Sequence, residues 1–114
     1  MGLRILVVDD DPSTLWVLEK LFALEGHSIE TAANGHEALE RLECRESQPF
    51  DVLVTDLVMP DMPGTKLIEA ARSLVPAIRS VVVSGHKRDV LVGEDVSWME
   101  KPLDVDALLE TIRT

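Results

Sequence analysis

The chain has one cysteine, Cys44, so no internal disulfide can form and a reducing compartment is expected. No apolar run approaches the length of a membrane span. The opening residues, MGLRILVVDD, hold a short apolar run and then turn acidic. They lack the long apolar region and small-residue cleavage site of a secretory leader. Met1-Gly2 resembles the start of an acylation signal, but Leu6 stands where that signal needs serine or threonine. Basic residues are scarce: 11 Lys and Arg against 21 Asp and Glu leave a net charge of −10. That balance argues against direct nucleic-acid binding by this domain and favours basic partners or metal cations. Repeats, low-complexity tracts and linkers are absent. So are G-x-G-x-x-G and G-x-x-x-x-G-K-[ST], which argues against a nucleotide-binding enzyme. Together these absences lead us to expect a cytoplasmic protein with no membrane contact.

What is present reads as one domain, residues 1–114, with 46% hydrophobic and 28% charged residues. Short β-branched runs alternate with longer amphipathic stretches. Leu3 to Val8 has strand length. Asp11-Pro12 then reads as an N-cap and first helical residue, with Leu15, Leu18, Leu21 and Phe22 at helical spacing and Gly26 placed to end the helix. His27 to Ala32 is polar enough for an edge strand. Asn34-Gly35 begins a second helix, to about Arg45. Phe50 to Thr55 is a third strand, and Gly64 to Leu74 a helix closed by Pro76. Ser80 to Val83 and Ser97 to Glu100 are the last two strands. Asp104 caps a final helix with Val105, Leu108, Leu109 and Ile112 on one face. Apolar strands separated by helices predict an α/β fold: a doubly wound, five-stranded parallel sheet of order 2-1-3-4-5, flavodoxin-like.

In such a sheet, ligands sit beyond the carboxyl ends of the strands. Strand one ends in Asp9-Asp10-Asp11, strand three in Asp56, strand four in Ser84-Gly85 and strand five in Lys101-Pro102. Strands one and three are neighbours, so Asp9 and Asp10 are expected beside Asp56. A like-charge pair about 4 Å apart costs roughly 4 kcal/mol at an effective dielectric near 20. A divalent cation removes that cost. All-oxygen donors select Mg²⁺, Mn²⁺ or Ca²⁺ over zinc, and few carboxylates with room for water suit Mg²⁺. Ser84 adds a hydroxyl and Lys101 a positive charge. These are the parts of phosphoryl transfer to a carboxylate. Asp11 reads as the helix cap, Asp51 and Asp61 as solvated acids, His27 and His36 as surface residues, and Cys44 as a helix residue.

The segments ILVVDDD, LVTDLVMPDMPG, VVVSG and MEKP, in that order, resemble the receiver domain of bacterial two-component response regulators. The resemblance covers nearly the whole chain. It implies that Asp56 is the phosphoacceptor, taking a phosphoryl group from a phosphohistidine on a sensor histidine kinase or phosphotransfer protein. It implies that Asp9, Asp10 and the backbone carbonyl of Val58 join Asp56 around Mg²⁺. Ser84 matches the hydroxyl residue that shifts towards the phosphoryl group, Lys101 the lysine that pairs with it, and Trp98 the aromatic switch residue. Such a domain is no metabolic enzyme; it catalyses only its own phosphorylation and dephosphorylation.

The chain departs from the family's pattern between Ser84 and Lys101, which is shorter than usual. Gly85 to Val96 predicts a short or irregular fourth helix, and with it an altered output surface. Trp98 is bulkier than the usual aromatic. Val58 offers no side-chain hydrogen bond to an attacking water, so slow self-dephosphorylation is expected; His86 would oppose it by contacting that water, and a surface histidine is the equal alternative. A receiver-like interaction module that no longer accepts phosphate is the alternative. A phosphohydrolase fits less well, because Val58 stands where those enzymes place a second acid and the chain lacks a substrate-enclosing cap domain.

Overall fold

Three strand segments, Leu3 to Val8, Phe50 to Thr55 and Ser80 to Val83, are so apolar that both of their faces must be covered, and that requirement shapes the molecule. The structure, a computed structural model, describes residues 2–44, 48–85, 96–100 and 105–113. Its elements run β1 (Arg4–Val8), α1 (Pro12–Leu24), β2 (Ser28–Ala32), α2 (Gly35–Glu43), β3 (Val52–Asp56), α3 (Gly64–Leu74), β4 (Arg79–Ser84), β5 (Val96–Glu100) and α4 (Val105–Arg113). The five strands form one sheet of order β2-β1-β3-β4-β5, and every neighbouring pair is parallel. The α/β class and the strand order expected from the pattern are both present. The short fourth helix expected within Gly85 to Val96 lies, at residues 86–95, outside the described residues.

Alternation along each strand divides the core between the two faces. On one face Leu6, Val8, Leu53 and Val82 pack with Ala38 and Leu42 of α2 and with Leu67, Ile68 and Ala71 of α3. On the other face Ile5, Val7, Val52, Val54, Val81 and Val83 meet Leu18 and Phe22 of α1 and Leu108, Leu109 and Ile112 of α4. β2 reads SIETA and lies at the sheet edge, only partly buried. Its Glu30 pairs with Arg4 at 3.0 Å and Arg41 at 3.6 Å, which places charge where an edge would otherwise invite further pairing.

Local chemistry sets the helix ends. Asp11 is in extended conformation and accepts from the Ser13 N–H at 2.9 Å and the Thr14 hydroxyl at 3.1 Å, while Pro12 opens α1. Gly26, at φ 88°, adopts the left-handed conformation that ends the helix. Some boundaries differ from the sequence reading. β3 starts at Val52 rather than Phe50, because Asp51 is engaged with Arg4 through the backbone and its carboxylate, and it runs on to include Asp56, whose Cα pairs with Val83. α2 ends at Glu43, so Cys44 is an exposed C-cap residue in extended conformation rather than part of the helix. His27 is half-buried rather than on the surface: its Nδ1 accepts the Leu3 N–H at 2.9 Å and its ring meets Phe22 edge-on.

A long-range contact ties the last helix to the sheet. Arg79, the first residue of β4, donates to the carbonyls of Ile112 at 3.1 Å and Thr111 at 2.7 Å, among the unsatisfied acceptors at the end of α4. Arg79→Ala is expected to lower stability by roughly 1 kcal/mol, given the exposure of the pair. A urea melt checks this: the midpoint should fall while the slope stays unchanged.

Candidate functional site

The carboxyl edge of the sheet gathers acids contributed by two adjacent strands. β1 runs into Asp9, whose N–H donates to the Ala32 carbonyl at 3.1 Å and so extends the ladder with β2 by one residue. Asp9 is buried, 3% exposed, and its Oδ1 accepts the Asp11 N–H at 2.9 Å. Asp10 is exposed, and Asp56 at the end of β3 is half-buried. Asp9, Asp10 and Asp56 each offer a carboxylate oxygen within 4.8 Å of the other two. This is the juxtaposition that the strand order predicted. The donor set is all oxygen, and part of it is buried, so it fits a hard divalent cation.

Ser84 ends β4 and is fully buried. It lies one residue beyond Val83, the register partner of Asp56. Glu100 is the register partner of Ser84. Lys101, the next residue in sequence, lies outside the described residues, as do Pro102, Asp104 and His86. Trp98 pairs with Val82 across β4–β5 and packs, partly buried, on the core face shared with α2 and α3. Its indole Nε1 is buried with no hydrogen-bond partner, as is the Ser80 hydroxyl.

The loop that follows Asp56 is closed at two levels. At its neck the Gly64 N–H donates to the Leu57 carbonyl at 2.7 Å, and Val58 forms an isolated antiparallel bridge with Pro63. Gly64 is required there, because a β-carbon would collide with the Asp56 carbonyl oxygen. Val58 carries an exposed side chain, and its N–H donates to Asp56 Oδ1 at 3.4 Å, a long bond. At the tip of the loop, Asp61 is exposed, as the sequence suggested, but it is also bonded to α2. Its Oδ1 accepts the Gly35 N–H at 3.0 Å and its Oδ2 accepts the His36 N–H at 2.8 Å, both in the first turn of α2. The His36 Nδ1 lies 3.1 Å from the same Oδ2. Asn34 Oδ1 accepts the Glu37 N–H at 2.9 Å, so side chains satisfy three successive N–H groups of that turn. Sequence reasoning missed Asp61 because its partners lie 25 and 26 residues away.

A family model for the response regulator receiver domain matches residues 5–113. The chain belongs to that family. This receiver domain is 35% identical over 107 residues to the DNA-binding transcriptional regulator NtrC of Escherichia coli K12, an alignment covering 90% of this chain and 22% of NtrC. It superposes on a CheY-like receiver domain protein from Methanospirillum hungatei with a TM-score of 0.86 and 32% identity, covering 99% of this chain and 92% of that one. It superposes on TrrA of Thermotoga maritima, solved in complex with Mg²⁺ and BeF, with a TM-score of 0.84 and 28% identity, covering 99% and 97%. The receiver domain spans between 12% and 25% of the length of the curated relatives it matches. Among the described residues no helix is long and apolar enough to cross a membrane.

Titration at the loop tip follows from the geometry. Desolvation pushes the Asp61 carboxyl up, but N–H bonds from Gly35, His36 and its own backbone, with the charge of a protonated His36, outweigh it and hold the group below its ordinary 3.8. A carboxyl depressed in the folded state contributes stability that is present above the unfolded value and lost as pH falls through the folded one. Asp61→Asn imitates the protonated acid. It is expected to be less stable than wild type near neutral pH, and the gap should close once the pH drops below the ordinary carboxylate value. Urea midpoints of both proteins across that range check it.

Proposed function

We propose that this chain is a phosphorylation-controlled signalling domain in which Asp56 accepts the phosphoryl group. The observation that carries this reading is the placing of Asp9, Asp10 and Asp56 within 4.8 Å of one another, with Ser84 at the end of the neighbouring strand. An Asp56 carboxylate oxygen forms the new O–P bond as the N–P bond of a phosphohistidine on a sensor kinase or phosphotransfer protein breaks, and the imidazole leaves carrying the electron pair. Asp9, Asp10, Asp56 and the Val58 carbonyl would hold Mg²⁺. When bound, that ion neutralises the carboxylates and the charge on the transferring group. The Ser84 hydroxyl would meet a phosphoryl oxygen, and Lys101, next in sequence after the register partner of Ser84, would supply a positive charge. Asp11 takes no part, because capping α1 occupies its carboxylate. Trp98, on the same sheet face as Val82, is the residue through which a change at Ser84 would reach the surface facing a partner. Residues 1–114 act as one such domain, and the cytoplasm, where sensor kinases present their phosphohistidines, is its expected location. The identity of the output is set by the partner or by further chain.

Incubation of the wild-type protein with acetyl phosphate and Mg²⁺ should add one phosphoryl mass, and Asp56→Asn should gain none. Equal label on both proteins refutes the assignment of Asp56. No label on wild type favours a receiver-like interaction module that is no longer phosphorylated. A second expectation concerns lifetime. Val58 is exposed beside Asp56 and has no side-chain group to orient a water, so the phosphorylated protein should decay slowly once donor is removed. Decay within seconds, followed by mass spectrometry, would show that another group activates the water.

A further inference from the structure

The loop of residues 57–63 buries Leu57 and Met59 in the core and makes its main hydrogen bonds at two places, its neck and its tip. Its neck is bound to Asp56 itself: the Val58 N–H reaches the Asp56 carboxylate, and Gly64 packs against the Asp56 carbonyl. Its tip is bound to α2 through Asp61, which divides its two oxygens between the N–H groups of Gly35 and His36. Met62 seals the same junction, because its side chain lies where a β-carbon on Gly35 would be. The bond from Val58 to Asp56 is long at 3.4 Å, so it cannot hold the loop alone. The Gly64 bond to the Leu57 carbonyl closes the neck at 2.7 Å, and the bonds that fasten the loop to α2 are at the tip.

We propose that Asp61 is a positioning residue for Asp56. By fastening the loop to the first turn of α2, it keeps the Val58 N–H on the Asp56 carboxylate and holds Val58 at the acidic pocket, where its carbonyl can serve as a ligand. A carboxylate suits this task because the start of a helix attracts negative charge and presents paired donors. The inference rests on the reading of Asp9, Asp10 and Asp56 as a Mg²⁺ site.

The test compares Asp61→Ala, Asp61→Asn and Asn34→Ala with wild type, all as the full chain. Asn34→Ala removes a cap bond from the same turn of α2 without touching the loop, so it reports what loss of helix stability alone does. Two quantities are read: Mg²⁺ affinity by calorimetry, and the backbone amide resonance of Val58 without metal. Asp61→Ala should weaken Mg²⁺ binding about tenfold, as loss of a supporting residue around a metal site does, and should shift the Val58 resonance. Asp61→Asn keeps one acceptor oxygen and should recover part of both. Asn34→Ala should retain wild-type affinity and resonance. Wild-type values for Asp61→Ala overturn the proposal, and so does an Asn34→Ala protein as impaired as Asp61→Ala. If wild type itself binds no Mg²⁺, the metal-site reading fails and the positioning role fails with it. If wild type binds and Asp61→Ala is indifferent, only the positioning role is lost.

Discussion

Asp9, Asp10 and Asp56 repel one another, and the fold holds them together regardless. Each carboxylate would separate from the others if its backbone could move. None can move far. Asp56 is the last paired residue of β3 and Asp9 continues the ladder beyond β1, and the strands behind them are buried on both faces. Displacing either acid would mean pulling Val7 and Val8, or Val54 and Thr55, out of a close-packed interior. Hydrophobic burial thus supplies the force that the site's electrostatics oppose. The parallel register of β1 on β3, Val8 opposite Thr55, converts it into a fixed spacing between charges. A crowded set of acids on a rigid frame attracts positive charge without having to reorganise first.

The two sides of the site are built differently. On the β1 side, polar groups are tightly paired: Asp9 Oδ1 with the Asp11 N–H, and Asp11 in turn with Ser13 and Thr14. On the loop side the pairing is indirect and reaches Asp56 through a long bond from Val58. The exposed side chain of Val58 fits the same division, because nothing in its packing ties it down.

Much of this was legible in the sequence, for a physical reason that also marks the limit. The strands, the cap at Asp11 and the bounds of α3 depend on residues a few positions apart, and pattern and propensity act over that range. The meeting of Asp9 and Asp10 with Asp56 is a long-range contact, yet it could be inferred because strand order alone implies it. The contacts that escaped are those in which one polar side chain reaches an element with no periodic relation to it. Asp61 on Gly35 and His36, His27 on Leu3, and Arg79 on the end of α4 are of this kind. Each acid or base reads as solvated in its own neighbourhood, and only the packing of helices against the sheet supplies its partner.

The polar atoms without partners carry the argument one step further. Ser80 and Trp98 lie on the face of the sheet that packs against α2 and α3, on the adjacent strands β4 and β5, and neither the Ser80 hydroxyl nor the Trp98 Nε1 has a hydrogen bond. Leaving such a group buried and unpaired costs on the order of 1–3 kcal/mol. By contrast, the β1–β3 half of the sheet is apolar where it is buried, apart from Asp9 and Thr55, and the Thr55 hydroxyl donates to the Asp56 carbonyl at 2.9 Å. Both unpaired atoms thus lie on β4 and β5, and β4 is the strand that pairs with β3 and ends in Ser84. A rearrangement that gave the Trp98 indole an acceptor would recover some of that cost.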